Sequence, residues 1–290
     1  MKTLEYLSGP MGDLMWPAVA AGVAIALLGA ALSVPVVLKR LAFIGQGVSH
    51  AAFGGAGIAL VLGLTGTSAA ASLGYLGVVG AFCVLTALAV AWASGKSGNE
   101  AGEDTVIGVF LVATMALGAL LTHWHANRSG GAAGAAVSAE QILFGSILDV
   151  GWWDVGIAWS VLAGTLVILW SARRAMVFWL FDESAAEAFG VRTTPLRYLL
   201  LTLLGVATVT SMKLAGAVLA TALLVLPGAA ALKMSERLGT VTILAGAWGV
   251  LGVLGGLVLS FEMDWPPGAS IVGVLTAVYA LSSLIGAGRR

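Results

Sequence analysis

Nine stretches of mostly apolar residues run along this chain, each close to the roughly 20 residues that a helix needs to cross a lipid bilayer. They lie at roughly 14–34, 41–63, 70–93, 105–122, 152–170, 196–212, 214–232, 240–260 and 269–287. Only Ser211, Met212 and Lys213 separate the sixth stretch from the seventh, so these two are also consistent with one broken helix. The sequence therefore predicts an all-α, polytopic membrane helix bundle with about nine (eight to nine) transmembrane helices. We expect a single domain over residues 1–290.

The composition supports a membrane protein and excludes other classes. Only 10% of the residues are charged, against about 25% in a typical soluble domain, and 59% are hydrophobic. The formal net charge is zero, so the basic face that nucleic-acid binding requires is missing. Cys83 is the single cysteine and lies in an apolar stretch, which excludes a disulfide framework and a cluster of thiolate metal ligands.

The basic residues predict how the chain is oriented in the membrane. With nine spans, Lys2, Arg128 and Lys213 fall on one side and the other eleven of the 14 lysines and arginines fall on the opposite side. Positive residues concentrate on the cytoplasmic side of membrane proteins. We therefore expect a multi-pass membrane protein with an external N-terminus and a cytoplasmic C-terminus.

The second stretch carries the polar residues Gln46, Ser49 and His50 inside an apolar span. Gln46 and His50 are four residues apart, so they share one face of a helix. Polar side chains at membrane depth are costly and often mark a substrate path, and histidine is the commonest metal ligand. The alternative is that His50 bonds a backbone carbonyl of a neighbouring helix and only holds the bundle together.

Residues 181–195 predict a short helix on the cytoplasmic side. Ser184 and Glu187 have the spacing of a capping box, Gly190 suits a C-terminal cap, and Pro195 suits the first turn of the next span. A partner subunit can bind such a short, compact helix. An idle connector between two spans is the alternative.

His123 and His125 flank Trp124 at an external end of a span. On an extended segment these two imidazoles can share a metal ion, whereas on a helix they point apart. Possible external metal capture is therefore one interpretation, and anchoring at the membrane interface is the other.

Five segments together resemble the permeases of ABC transporters that import zinc, manganese and iron. The resemblance extends from about residue 14 to residue 287, and five collinear segments are far more specific than any one apolar helix. The segments are LKRLAFIGQGVSHAAFGGAGIAL (38–60), EDTVIGVFLVATMALGALL (103–121), FDESAAEAFGV (181–191), KLAGAVLATALLVLPGAAA (213–231) and PPGASIVGVLTAVYALSSL (266–284).

The resemblance implies a permease subunit that works as a homodimer, with the translocation path between two copies. It also implies a cytoplasmic ATP-binding ABC subunit inside and a metal-binding protein outside that delivers the ion. Residues 182–190 match the coupling helix that docks on the ATPase, with Asp182, Glu183, Glu187, Phe189 and Gly190 as its candidate contact residues. His50 matches a metal-contacting position of the path, and Gln46 accompanies it. The metal is the substrate, and no permanently bound cofactor is expected.

Gln46 departs from the family pattern, because many manganese-type members carry an aspartate at this position. A neutral amide is a poorer partner for manganese than a carboxylate, while imidazole suits zinc. The sequence therefore favours zinc over manganese or iron.

Two other classes compete with an ATP-driven importer. A secondary transporter driven by an ion gradient generally carries acids within its spans, and the predicted spans contain almost none. An intramembrane enzyme is the second class, suggested by Ser49 beside His50. Adjacent residues point about 100° apart on a helix, so the two cannot form a nucleophile and base within one copy. The chain has neither H-E-x-x-H nor G-x-x-x-x-G-K-[ST], and we expect no catalytic residues.

Overall fold

The structure is a computed structural model that describes residues 12–64, 69–97, 100–128 and 150–287. Within these ranges the chain forms helices joined by short connections. The helices are α1 (Gly12–Leu38), α2 (Ala42–Val61), α3 (Ala69–Ser97), α4 (Glu100–Arg128), α5 (Trp152–Phe181), α6 (Glu183–Ala188), α7 (Thr193–Met234), α8 (Leu238–Met263) and α9 (Pro267–Ala287). Eight of them are long and apolar enough to cross a membrane, and the exception is the six-residue α6. The predicted all-α membrane bundle is confirmed.

Helix α7 combines the predicted sixth and seventh spans. Its 42 residues would rise about 63 Å as one helix, which is twice the roughly 30 Å thickness of the hydrocarbon core. Gly216 interrupts it with φ 81° and ψ 165°, a conformation outside the helical region that glycine adopts without a Cβ penalty. Therefore α7 is one helix broken into two segments at Gly216, and each segment is close to the length of a membrane crossing.

The chain divides into two compact units. The first contains residues 1–42, 143–191 and 210–290, and therefore α1, α5, α6, the later part of α7, α8 and α9. The second contains residues 43–142 and 192–209, and therefore α2, α3, α4 and the earlier part of α7.

In the first unit, small residues let α1 approach its neighbours closely. A Cβ built on Gly228 of α7 would lie 2.7 Å from Ser33 of α1, and a Cβ on Gly249 of α8 would lie 3.1 Å from the carbonyl oxygen of Ala26. Membrane helices associate through such contacts, because lipid tails are as apolar as the side chains and supply no hydrophobic driving force. Helix α1 is accordingly almost completely buried along much of its length.

Ion pairs and close contacts define the two ends of this first unit. At one end, the Lys39 ammonium lies 2.9 Å from the Glu183 carboxylate, and Lys233 at the end of α7 packs against Gly286 at the end of α9. At the other end, the Lys213 ammonium lies 2.6 Å from the carboxylate of Asp154 in the first turn of α5. Lys213 therefore lies at the opposite end from Lys39 and Lys233, as the predicted charge asymmetry requires. Lys2, Arg289 and Arg290, which also entered that prediction, lie outside the described residues.

Candidate metal path and coupling surface

Glycines on one face of α2 place this helix against α3 and α4 in the second unit. A Cβ built on Gly54 would lie 2.9 Å from the carbonyl oxygen of Thr114 and 2.9 Å from the ring of Phe82. A Cβ on Gly57 would lie 3.0 Å from Leu121, and one on Gly118 would lie 2.5 Å from Phe53. These distances are shorter than ordinary van der Waals contacts, so the absence of side chains is what allows α2 to pack this closely.

Replacing Gly54 with leucine should destabilise the second unit. Overpacking a close contact typically costs about 1–3 kcal/mol, and the backbone carbonyl of Thr114 cannot move aside as a flexible side chain can. Gly108→Leu on α4 is the matched control, because a Cβ at Gly108 meets no atom within 4 Å. The measurement is the melting temperature of the purified protein in detergent, and equal melting temperatures for the two variants would contradict the packing assigned to α2.

Gln46 and His50 lie in the first half of α2, before the glycines that pack against Thr114 and Leu121. Gln46 is exposed and His50 is half-buried, whereas Gly45, Gly47 and Ser49 around them are buried. The Ser49 hydroxyl donates to the Gly45 carbonyl oxygen at 2.9 Å. This hydrogen bond lies within α2, so the Ser49 hydroxyl is satisfied by its own helix. The predicted common face of Gln46 and His50 is therefore present and open, and it is separate from Ser49.

Within the described ranges, no hydrogen bond is formed by the side chain of either Gln46 or His50. The alternative role for His50, a bond to a backbone carbonyl of a neighbouring helix, is not seen there. A half-buried imidazole and an exposed amide in an apolar span retain donors and acceptors for a ligand. Polar groups placed in this way are typical of a substrate path.

One copy of the chain supplies few ligands. No group of three or more histidine, cysteine, aspartate or glutamate side chains that could hold a metal ion occurs among the described residues. Any metal contact at Gln46 and His50 therefore uses two side chains per copy. A closed four-ligand site, as in structural zinc centres, would require further groups.

The short helix α6 follows α5 after the single residue Asp182. The Asp182 carboxylate accepts a hydrogen bond from the backbone N–H of Ala185 at 2.8 Å. The N-terminal cap is therefore Asp182, and the prediction that Ser184 and Glu187 form the capping box is wrong. The capping role of Gly190 is confirmed: it has φ 82°, and the next N–H, that of Val191, donates to the Ala186 carbonyl oxygen at 2.9 Å, as in a Schellman motif.

Two side chains of this segment project outward. Glu187 is exposed, and Phe189 is 80% exposed although its ring centroid lies 5.7 Å from that of Phe178. A large apolar side chain beside a carboxylate on a capped helix is a compact contact surface. Of the five candidate contact residues, Asp182 and Gly190 shape the helix, Glu183 pairs with Lys39, and Glu187 and Phe189 face outward.

Comparison with known proteins identifies the family. The model of the ABC 3 transport family matches residues 11–286 of this chain. This chain belongs to the ABC 3 transport family. It is similar to the manganese transport system membrane protein MntC of Halalkalibacterium halodurans, with 31% identity over 91% of this chain and 85% of the relative. It is also similar to the high-affinity zinc uptake system membrane protein ZnuB of Haemophilus influenzae, with 25% identity over 94% of this chain and 97% of the relative.

The fold of this ABC 3 family member is also found in a solved structure. The structure of PsaBC from Streptococcus pneumoniae in complex with Fab contains a chain that is 25% identical to this one. The TM-score is 0.79, and the match covers 97% of this chain and 94% of the other. The resemblance to ABC transporter permeases is thereby confirmed for the fold of nearly the whole chain, and the relatives are transport proteins.

His123 and His125 of this ABC 3 family member are not brought together. Both lie on α4, which remains helical to Arg128, so His123 and His125 point about 200° apart around the helix. His123 Nε2 lies 3.1 Å from Asn127 Nδ2. The extended segment on which two imidazoles can share a metal ion is not formed at these positions.

Sequence reasoning missed the residues that hold α6 in place. Besides pairing with Glu183, Lys39 places its ammonium 4.5 Å from the centre of the Trp179 ring, a favourable arrangement of a cation and an aromatic face. Trp179 is almost completely buried. The sequence indicates Lys39 only as one of the cytoplasmic positive charges, and its partner Glu183 is 144 positions away in the sequence. No local pattern indicates such a pair.

Proposed function

We propose that this chain is the membrane-spanning permease subunit of an ABC transporter that imports a divalent metal ion, with zinc preferred over manganese or iron. Two copies form a homodimer with the translocation path between them. A cytoplasmic ATP-binding ABC subunit powers the cycle, and an extracytoplasmic metal-binding protein delivers the ion. The protein lies in the plasma membrane of a bacterium, with its C-terminus in the cytoplasm.

The observation that carries this proposal is the open polar face of α2. Gln46 and His50 lie one turn apart in the first half of a membrane-spanning helix whose second half is packed through Gly54 and Gly57, and no described residue forms a hydrogen bond with their side chains. Dimer symmetry doubles them to two imidazoles and two amide oxygens. Four ligands of this kind match the coordination number that zinc prefers. An incomplete set of strong ligands also suits a path, because an ion that is bound too tightly does not leave.

Zinc is favoured by the chemistry of these ligands. The relatives are named for different metals, manganese for MntC and zinc for ZnuB, so membership of the family supports a divalent metal without selecting one. Imidazole nitrogen suits zinc, whereas manganese prefers carboxylate oxygen. Neither Gln46 nor His50 supplies a carboxylate.

The orientation is supported by the ends of the first unit. Lys39, Lys233 and α6 lie at one end, and Lys213 lies at the other. The positive-inside rule assigns the end with more basic residues to the cytoplasm. This assignment places α6 where a cytoplasmic ATPase can reach it.

Zinc uptake by this protein should depend on ATP. The chain is reconstituted with its ATPase subunit in liposomes, and uptake of radioactive zinc is measured with ATP, without ATP, and with a proton or sodium gradient instead. We expect uptake only with ATP, no hydrolysis by the permease alone, and weaker competition by manganese or iron than by unlabelled zinc. Uptake driven by a gradient without ATP would instead support a secondary transporter, and stronger competition by manganese would overturn the zinc preference.

A further inference from the structure

A membrane-facing groove in the first unit lies between α1, α5 and α8. Its volume is about 540 Å³, and its apolar walls include Val34, Leu166, Val167 and Leu238. This volume is within the roughly 300–1,000 Å³ of small-molecule sites, which are mostly apolar with a few placed polar groups. Helix α5 contributes the longest wall, from Leu166 to Leu180.

One charged side chain stands among the described lining residues of this groove. The Arg173 guanidinium lies 4.8 Å from the centre of the Trp170 ring, and both residues line the groove. No carboxylate of the described chain pairs with Arg173. The hydroxyl of Thr242, another lining residue, already donates to the Leu238 carbonyl oxygen at 3.0 Å. The five N–H donors of the Arg173 guanidinium therefore adjoin an apolar groove, and no described carboxylate pairs with them.

The depth of Arg173 in the membrane indicates what such a partner would be. Trp152 and Trp153 at the start of α5 are exposed, as expected of aromatic residues at a membrane interface. Arg173 is 21 residues further along the helix, a rise of about 32 Å, which matches the roughly 30 Å hydrocarbon core. Arg173 and Trp170 thus lie near the opposite interface, where lipid phosphates are found. The lining residues from Leu166 to Leu169 extend from there toward the hydrocarbon core, whereas Met176, Val177 and Leu180 line the groove on the other side of Arg173.

We propose that this groove binds an anionic phospholipid, with its phosphate at Arg173 and an acyl chain against the apolar walls. Basic pockets between membrane helices on the cytoplasmic side recognise anionic headgroups, and a long basic side chain near the interface can extend to the headgroup region. The occupant is therefore a lipid of the surrounding leaflet, whose phosphate matches Arg173 and whose acyl chain matches the apolar lining from Leu166 to Leu169. This site is distinct from Gln46 and His50 and does not depend on which metal is carried.

The test is native mass spectrometry of the full-length protein in mild detergent, with added phosphatidylglycerol or phosphatidylcholine. We expect wild type to retain phosphatidylglycerol preferentially, and Arg173→Gln to lower that preference about fivefold, as the loss of one basic contact implies. Val167→Trp should fill the groove and reduce retention of both lipids. The variants are first checked for unchanged melting temperature and elution volume.

Arg174→Gln is the matched control, because Arg174 is the next residue at the same depth and does not line the groove. An equal loss in the Arg174 and Arg173 variants would show general attraction of lipid to positive charge and would overturn the proposal. So would equal retention of the two lipids by wild type. A photoreactive residue at position 167 should label lipid, and labelling of a second copy of the chain would show that protein covers the groove.

Discussion

His50→Ala should abolish zinc uptake while leaving the protein folded and bound to its ATPase subunit. The imidazole is half-buried on α2 and forms no hydrogen bond to a described residue, so its removal breaks no hydrogen bond that the structure describes. Groups that merely support a metal ligand cost about 10–100-fold in metal affinity when removed, so we expect loss of the ligand itself to lower uptake at least tenfold. The measurement is uptake of radioactive zinc in cells matched for permease level.

Thr276→Ala provides the control for this experiment. Thr276 is an exposed polar residue of α9 whose hydroxyl bonds only its own helix, at the Val272 carbonyl oxygen, and its loss should leave uptake unchanged. If His50 instead held helices together, its removal would cost about 0.6 kcal/mol, as for a typical hydrogen bond between membrane helices. Uptake would then remain near wild type, and the assignment of His50 to the metal path would be wrong.

The polar face of α2 could be predicted because its signal is local. Gln46 and His50 contrast with an apolar surrounding, their spacing places them on one side of a helix, and Gly54 and Gly57 form a small-residue face farther along the helix. The structure adds that this glycine face is packed against Thr114 and Phe82. Which helices would meet there depends on contacts between distant segments, and hydropathy carries no information about partners.

The end of α5 could not be predicted from the apolar pattern. The apolar pattern predicts that the span ends near residue 170, because Arg173 and Arg174 follow it, but the helix continues to Phe181. Long basic side chains can extend toward the interface from an uninterrupted helix, and the residues that follow are again apolar. Because α5 reaches Phe181, Asp182 is the residue at which α6 begins, which explains why the cap lies two residues before Ser184.

For a related reason, the sequence does not determine whether the sixth and seventh spans are two helices or one broken helix. Ser211, Met212 and Lys213 provide too little polarity to end a span with certainty, and the residue that interrupts the helix is Gly216. Glycine occurs 40 times in this chain, and several of the described glycines, such as Gly228 and Gly256, fill close contacts within regular structure, so its presence alone does not indicate a break. The ion pair between Lys213 and Asp154, which fixes this position at one end of the unit, joins residues 59 positions apart.

Glu187→Arg should uncouple the transporter from ATP hydrolysis without unfolding it. Glu187 is exposed on α6 beside the protruding Phe189, and the helix is capped by Asp182 and Gly190 rather than by Glu187. The reversal therefore leaves both caps in place, whereas loss of a cap would itself cost only about 1 kcal/mol. If an ATPase groove accommodates this carboxylate, the new positive charge meets like charge at the interface, which costs several kcal/mol. We expect normal membrane levels, with zinc uptake and zinc-stimulated ATP hydrolysis lowered at least tenfold.

Glu236→Arg separates docking from a general effect of charge at this end of the protein. Glu236 is an exposed carboxylate in the connection between α7 and α8, close to Lys233 and on the same side as α6. The same charge reversal at Glu236 changes the total charge equally but does not alter the surface formed by Glu187 and Phe189, so uptake should remain near wild type. Co-purification of the ATPase subunit is measured for both variants, and we expect its loss only for Glu187→Arg. Normal uptake and normal co-purification by that variant would mean that residues 182–190 are a connector between two spans and that the ATPase binds elsewhere.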